Sequence, residues 1–260
     1  MAPFVRRDWL TLRSYRLAFV LDSFYGVLEL AVFFFISRAL GSEAFSDLDG
    51  APSYFAFAAV GIIVGLVVES ASDGLAHRIR DEQLTGTLEL LLAQPLSAFQ
   101  LCAGLAGFPF VFALVRASAY LAIAGLAMGL DVSRTDWLGL ATMFVVAALA
   151  LATIGVLAGA VVLVLKRGEV LVSVCLFAMT LLSGAVFPVS ALPAPLEAIG
   201  SVLPLRFAFD GVREALFLGA GWGPDALALA AFALVGLPIA VMAFARALTI
   251  TRNSGTVAQY

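Results

Sequence analysis

Residues 80–97 read RDEQLTGTLELLLAQPLS, a charged passage between two of the most apolar regions of the chain. Leucines recur at spacings of three and four, which place them on one face of a helix: Leu84, Leu88, Leu91, Leu92 and Leu96. The polar complement is Glu82, Thr85, Glu89 and Gln94. Pro95 cannot continue the hydrogen-bond ladder of a helix. The stretch therefore predicts an amphipathic helix over about 80–97 that ends near Pro95.

The composition predicts a membrane protein. Of 260 residues, 62% are hydrophobic and 13% are charged, and the mean hydropathy is +1.05. A soluble domain carries roughly 25% charged residues. The net charge of −3 favours no nucleic-acid partner. Cys102 and Cys175 both fall in apolar runs, where cysteine is a packing residue.

Six apolar runs are long enough to cross a bilayer as helices. The predicted spans cover about 17–39, 53–75, 101–128, 137–165, 170–188 and 224–246. Before the first span, residues 4–16 mix aromatic residues with arginines, which is typical of a helix lying in the membrane interface. The fold class predicted is all-α, with a cytoplasmic helix after the second span and a broken helical hairpin before the last.

The distribution of cationic residues predicts the orientation. Ten of the fifteen Lys and Arg residues lie on the side of the membrane that holds the N-terminus, and four lie on the other side. The positive-inside rule then places both termini in the cytoplasm of a multi-pass protein of the cell membrane. The Ala, Gly and Leu richness, with Lys166 as the single lysine, favours a bacterial source.

Prolines interrupt the apolar segment before the last span. Pro188, Pro193, Pro195 and Pro204 divide it into pieces too short to cross a bilayer. Such broken helices are tolerated at membrane depth where protein or a water-filled cavity surrounds them. We expect a re-entrant hairpin over about 189–222 at the outer mouth; an ordinary surface loop is the alternative. The outer-gate candidates are Phe187, Pro188, Pro193, Pro204, Arg206, Asp210 and Arg213.

Two segments carry a resemblance to a known family. DEQLTGTLELLLAQPLS resembles the cytoplasmic segment E-x-x-x-G-T-L-E-x-L-L-x-x-P-L-S of ABC-2 type ABC-transporter permeases. The matching positions are Glu82, Gly86, Thr87, Leu88, Glu89, Leu91, Leu92, Pro95, Leu96 and Ser97. The later segment resembles the family's G-x-x-F-P-x-x-x-L-P … L-P … R pattern. It matches at Gly184, Phe187, Pro188, Leu192, Pro193, Leu203, Pro204 and Arg213.

The resemblance implies one ABC-2 transmembrane domain over residues 1–260, serving as the non-catalytic permease subunit of an exporter. Its coupling helix would dock on a cytoplasmic ABC ATPase present in two copies, which would bind the ATP and Mg²⁺. The implied coupling residues are Glu82, Gly86, Thr87, Leu88, Glu89, Leu91, Leu92 and Pro95. A second cytoplasmic contact would involve Lys166, Arg167 and Glu169. A second permease subunit, most simply another copy, would complete the pathway.

The chain itself contains no G-x-x-x-x-G-K-[ST] phosphate-binding loop, so we expect no cofactor in this subunit. The family includes exporters of drugs, lipids, lipid-linked polysaccharides and peptides. The apolar spans fit an amphipathic, lipidic or drug-like cargo and fit ordinary lipid-facing surface equally well. An ion-coupled secondary transporter and a lipid-modifying membrane enzyme are the alternative functions.

Several charged residues fall inside the predicted spans. Asp22 and Glu29 share a face of the first span, and Glu29 lies at a depth similar to that of Arg116. Because an unpaired charge near the midplane is costly, we expect Glu29 to contact Arg116, within one subunit or across a dimer. The contact would be a polar patch of the pathway or an internal clamp.

Three further features leave two interpretations each. Glu69, Asp73 and His77 form either a solvated inner rim or, with a single histidine, a metal site. Three spans contain G-x-x-x-G, which serves close packing within a subunit or between subunits. The glycine pairs are Gly61/Gly65, Gly125/Gly129 and Gly155/Gly159. Gly86 provides either a turn at the entrance to the coupling helix or flexibility alone.

Overall fold

The computed structural model describes residues 16–40, 48–86, 97–165 and 168–254, and the chain is helical without β-strands in these ranges. The predicted all-α class is confirmed. The long helices are α1 (Arg16–Leu40), α2 (Tyr54–Leu84), α3 (Ala98–Met128), α4 (Trp137–Val164) and α5 (Gly168–Leu182). Two short helices, α6 (Ala194–Gly200) and α7 (Pro204–Arg213), precede the long helix α8 (Gly223–Ser254).

Four of the described helices, α2, α3, α4 and α8, are long and apolar enough to cross a membrane. Helix α1 has 25 residues, with Asp22 and Glu29 in its sequence. Helix α5 has only 15 residues, about 22 Å of helix, against a hydrocarbon core of about 30 Å. The count of six spans stays a prediction.

The fifth span was predicted over about 170–188, and this boundary is wrong because α5 ends at Leu182. The chain turns at Ser183 and Gly184, and Gly184 has a φ of +88°, a backbone conformation that glycine adopts without steric penalty. A hydropathy pattern does not register this turn, because the residues around it are as apolar as the helix.

Helix α4 is the centre of the bundle, and α2 and α8 pack along it. Small residues allow these close contacts: a Cβ on Gly159 would lie 3.0 Å from Ile79 of α2, and one on Gly236 of α8 would lie 2.8 Å from Thr153. For Gly159 the packing is therefore within the subunit.

Hydrogen bonds fix the two ends of the α4–α8 pair and show that these helices run parallel. At their N-terminal ends, the Trp222 indole donates to the Asp136 carboxylate at 3.0 Å. At their C-terminal ends, the Thr251 hydroxyl donates to the Leu163 carbonyl at 3.1 Å. Asp136 also accepts from the Gly139 and Leu138 amides, and these donors, led by Gly139, lower the pKa of Asp136.

The segment before α8 is divided at its prolines. Pro188 precedes a 3₁₀ turn (Val189–Ala191), Pro193 is the N-cap of α6, and Pro204 is the first residue of α7. A left-handed Gly219 follows a π-helical turn (Glu214–Leu218) that continues α7. We call residues 183–222 the hairpin segment, and the end of the bundle that holds them the hairpin end.

Candidate functional site

The predicted coupling segment begins on α2, which continues beyond the predicted span end at residue 75. Ala76 and Ile79 are buried, and the next residues are good helix formers, so nothing stops the helix before the turn at Thr85 and Gly86. The prediction that one amphipathic helix covers residues 80–97 is therefore wrong at its start: residues 80–84 complete α2.

Gly86 has a φ of +70°, so the chain changes direction there, and Leu84 belongs to the last turn of α2. Glu82 is half-buried in the last turn of α2. The other coupling candidates lie outside the described residues: Thr87, Leu88, Glu89, Leu91, Leu92 and Pro95. Ser97, the predicted end of this helix, is the N-cap of α3 and forms a capping box with Gln100.

One residue of the second predicted cytoplasmic contact, Glu169, forms ion pairs within the chain. The Glu169 carboxylate, in the first turn of α5, lies 3.1 Å from His77 Nε2 and 3.9 Å from Arg80 Nε of α2. Lys166 and Arg167 lie outside the described residues. Sequence reasoning missed this contact because His77 and Glu169 lie on different helices and neither belongs to a recognisable pair.

A groove with a cavity of about 370 Å³ lies between α1, α2 and α5. Two carboxylates, Glu29 and Glu69, line it together with Phe33 and Phe177. A second cavity of about 300 Å³, between α2 and α3, is lined by Glu69, His77 and Arg116 among others. The two cavities share Leu66 and Glu69, so one polar track follows α2. We call the first cavity the groove.

Among the described residues, no hydrogen bond or ion pair joins Glu29 to Arg116. Arg116 instead donates to the Tyr120 hydroxyl at 3.3 Å and lies over the Tyr120 ring, 5.7 Å from its centroid. The prediction of a contact within one subunit is therefore not met, and a contact across a dimer stays a prediction. The side chain of Asp22 lies outside the described part of the chain.

Exposed apolar side chains flank the groove. On α1, Tyr25 is 68% and Phe35 is 65% exposed; on α5, Phe177 is 70% exposed. Val170 and Val174 continue the exposed surface of α5. This surface is available either to lipid or to another membrane protein.

At the hairpin end, four charged side chains form a network that we call the Arg213 cluster, in which Arg213 is buried and the other three are half-buried: Asp49, Arg206, Asp210 and Arg213. Arg206 Nε lies 2.5 Å from Asp210 Oδ2, and Arg213 Nη1 lies 3.5 Å from Asp210 Oδ1. Asp49 reaches the same group from the chain before α2, 3.4 Å from Arg206 Nη1 and 4.0 Å from Arg213 Nη1.

Arg213 is the most buried member, with 1% of its surface exposed. Its Nη2 donates to the Gly184 carbonyl at 2.6 Å, and its guanidinium stacks 3.7 Å from the centroid of the Phe57 ring of α2. Burial lowers the pKa of Arg213 to about 10, so it remains cationic at neutral pH. Burial also raises the pKa of Asp210 to about 6, against the lowering effect of Arg206 and Arg213.

The structure thus brings three of the outer-gate candidates, Arg206, Asp210 and Arg213, into one cluster. Phe187 is half-buried, and Pro188, Pro193 and Pro204 divide the backbone without joining the cluster. Sequence reasoning missed Asp49 and Phe57, because neither lies in a motif or near Arg213 along the chain.

The family assignment follows from a comparison with known protein families. A family described as ABC-2 type transporter matches residues 6–217 of the chain. The chain belongs to the ABC-2 type transporter family. No curated protein matches it.

Membership in the ABC-2 type transporter family, together with the long apolar helices, identifies a membrane transport protein, the permease subunit of an ABC transporter. Such subunits are generally non-catalytic, and they typically work with an ATPase. In this ABC-2 permease, the matched region contains both the groove and the Arg213 cluster.

Proposed function

We propose that the chain is the transmembrane permease subunit of an ATP-driven exporter in the inner or plasma membrane of a bacterium, with both termini in the cytoplasm. It works with two copies of a separate cytoplasmic ABC ATPase, which bind ATP and Mg²⁺. A second copy of the permease supplies the other half of the translocation pathway.

The observation that carries the proposal is the groove with its two carboxylates. Glu69 is exposed and Glu29 is half-buried on helices whose surroundings are apolar. A charge at the bilayer centre costs about 3 kcal/mol on insertion scales, so an intramembrane carboxylate marks a transport path by default. A second copy placed over the exposed faces of α1 and α5 would cover these carboxylates and enclose a polar path.

Helix α2 supplies a mechanical connection from the ATPase side to the pathway. It ends at Leu84, close in sequence to the coupling candidates, and it carries Glu69 in the groove and Phe57 against Arg213. Packed helices move as bodies between discrete arrangements, so a displacement of the docked segment would be passed along α2.

The lining of the groove supports an amphipathic, lipidic or drug-like cargo. Phe33 and Phe177 offer apolar contact, while Glu29, Glu69 and Thr180 offer acceptors for a polar or cationic group. The export direction is part of the proposal and is supported by the resemblance of residues 82–97 and 184–213 to ABC-2 type permeases of exporters.

Co-purification of the ATPase tests the coupling. Tagged chain is extracted in mild detergent from its native membrane, as wild type, Leu88→Asp and Glu89→Lys. We expect a stoichiometric ATPase with the wild type and its loss in both variants. Glu197→Lys, the same charge reversal on the exposed surface of α6, is the matched control and should retain the ATPase. Absence of an ATPase from the wild type would contradict the proposal.

Disulfide cross-linking tests the second copy. Leu28→Cys places a thiol on the exposed face of α1, in a Cys175→Ser background because Cys175 is itself exposed. We expect cross-linked dimers in native membranes. Leu126→Cys replaces a leucine of α3 that is 91% exposed, and it should give no cross-linked dimers. Equal cross-linking of the two variants would contradict a dimer through α1 and α5.

A further inference from the structure

Helices α3 and α4 are consecutive in the chain, yet they make few contacts with each other, whereas each packs extensively against α2. A cavity of about 440 Å³ lies between them, and we call it the α3–α4 cleft. The cleft shares no lining residue with the groove. It is therefore a separate feature of the bundle.

The lining of the α3–α4 cleft is apolar. Buried Leu121 and Leu140 belong to it, and exposed alanines, Ala122 of α3 and Ala141 of α4, lie on its two sides. The small size of these alanines leaves space between the helices. Ser118 is the one hydroxyl of the lining, and it donates to the Leu114 carbonyl of its own helix at 2.8 Å. The cleft thus offers little to water or to a polar ligand.

The connection between α3 and α4 is anchored, which keeps the two helices apart. Helix α3 ends at Gly129, whose φ is +74°. The Thr135 hydroxyl donates to the Leu216 carbonyl at 3.0 Å, and the Asp136 amide donates to the Ala215 carbonyl at 2.9 Å. The start of α4 is therefore fixed to the hairpin segment, and the helices cannot close on each other without breaking these bonds.

The position of the α3–α4 cleft indicates what fills it. Both helices are long and apolar enough to cross a membrane, so a cavity open on their surface meets the hydrocarbon of the bilayer. Trp137 lines the cleft at the first residue of α4 and is 60% exposed. Tryptophan is enriched at the membrane–water interface, which places the cleft in the hydrocarbon next to one interface. Apolar cavities stay dry and take up apolar molecules.

The size of the cleft favours one lipid chain over a protein partner. Ten residues line it. A stable protein–protein interface uses about 20–30 residues on each side, whereas small-ligand sites have volumes of about 300–1,000 Å³. The apolar lining also matches an acyl chain, because a gap beside apolar atoms forfeits their dispersion contacts.

We propose that the α3–α4 cleft binds one acyl chain of a membrane phospholipid, with Trp137 at the headgroup end. The chain supplies the packing between α3 and α4 that their own side chains do not make. This lipid stays with the protein when the surrounding lipids exchange. The inference goes beyond the proposed function, because the cleft and the groove are separate.

Retention of phospholipid tests the site. The full-length chain is purified in mild detergent with any partner that it keeps, as wild type, Ala122→Phe and Ala127→Phe. After prolonged detergent washing, the phospholipid per subunit is measured by mass spectrometry. Ala122→Phe fills the cleft, and we expect retention to fall about tenfold, equivalent to about 1.4 kcal/mol of binding free energy. Ala127→Phe, at an exposed alanine of the same helix outside the cleft lining, is the matched control and should retain the lipid.

Ala141→Phe fills the cleft from α4 and decides the matter if Ala122→Phe does not fold. Dioleoyl phosphatidylglycerol added to stripped protein should raise the thermal stability of the wild type and of Ala127→Phe, and leave that of the filled variants unchanged. No retained phospholipid in the wild type, or equal retention in the wild type and the filled variants, would overturn the proposal. So would a protein, rather than a lipid, that leaves when the cleft is filled. None of these results depends on an ATPase or on transport.

Discussion

The Arg213 cluster and the groove both contain carboxylates, and the two regions differ in how these carboxylates are partnered. Arg213 is 1% exposed and has partners from three parts of the chain. Glu29 is half-buried, and within the described residues it has no hydrogen bond or ion pair. A buried charge requires its partners, because removing one of them leaves an uncompensated charge in the interior, whereas a carboxylate open to one side leaves room for a ligand or a neighbouring subunit.

The G-x-x-x-G pattern of α2 shows the same contrast one turn apart. Gly61 packs against the Ala185 backbone, beside the Arg213 cluster, whereas a Cβ on Gly65 would meet nothing within 4 Å. Both glycines line the groove. The first is therefore required for packing within the subunit, and the second is free to face cargo or a second copy.

The largest effect is expected from Arg213→Met, which replaces the cation with an apolar side chain of similar length. Asp49 and Asp210 would lose this cationic partner and retain Arg206. Removing one partner of a buried ion pair costs about 3–5 kcal/mol, and we expect a loss of unfolding free energy in this range. Thermal or denaturant unfolding in detergent measures it. Arg134→Met, at an exposed arginine before α4, is the control. Equal losses of unfolding free energy in the two variants would contradict a special contribution of the Arg213 cluster to stability.

A smaller effect is expected from Gly61→Ala. The added methyl group would collide with the backbone carbonyl of Ala185, and overpacking of this kind costs about 1–3 kcal/mol. Gly65→Ala, with open space at its Cβ, should leave stability unchanged. Unfolding measurements on the two variants decide between a packing role and an interface role for each glycine. A destabilised Gly65→Ala with an unaffected Gly61→Ala would reverse the assignment.

Glu29→Gln should change stability little, within about 0.5 kcal/mol, because the carboxylate has no partner to lose in the described residues. If the groove is the pathway, transport should nevertheless fall, since the substitution removes a charge from its lining. Efflux from ATP-loaded proteoliposomes and thermal unfolding are measured on the same preparation. Glu197→Gln, on exposed α6, is the matched control. A large stability loss in Glu29→Gln with full transport would assign Glu29 to the fold.

A similarly small effect on stability is expected at the contact between α2 and α5. His77 and Glu169 are partly exposed, and pairs of this kind contribute about 0–1 kcal/mol. A double-mutant cycle of His77→Gln and Glu169→Gln should give a coupling energy within this range. A coupling energy of several kcal/mol would mean that this pair stabilises the fold, as the Arg213 cluster is expected to do.

The elements that sequence analysis predicted well are those that depend on local chemistry. The apolar runs placed the starts of the six long helices within three residues, and Pro193 and Pro204 marked the starts of α6 and α7. The two short motifs were sufficient to identify the family, because they depend on residue type and spacing alone. The end of α5 was missed, since a left-handed glycine in an apolar run leaves hydropathy unchanged.

The partners of the charged residues were decided by the tertiary structure. Their similar predicted depths in the membrane suggested a contact between Glu29 and Arg116. In the structure, Arg116 donates to Tyr120 on its own helix, and Glu29 lies in the groove with Glu69. Asp49 and Phe57 reach Arg213 only because α7 folds back onto the start of α2. Helix formation and membrane insertion depend on neighbouring residues and were determined by the sequence itself. The pairing of charges depends on which helix faces are brought together, and only the packing of the whole bundle decides that.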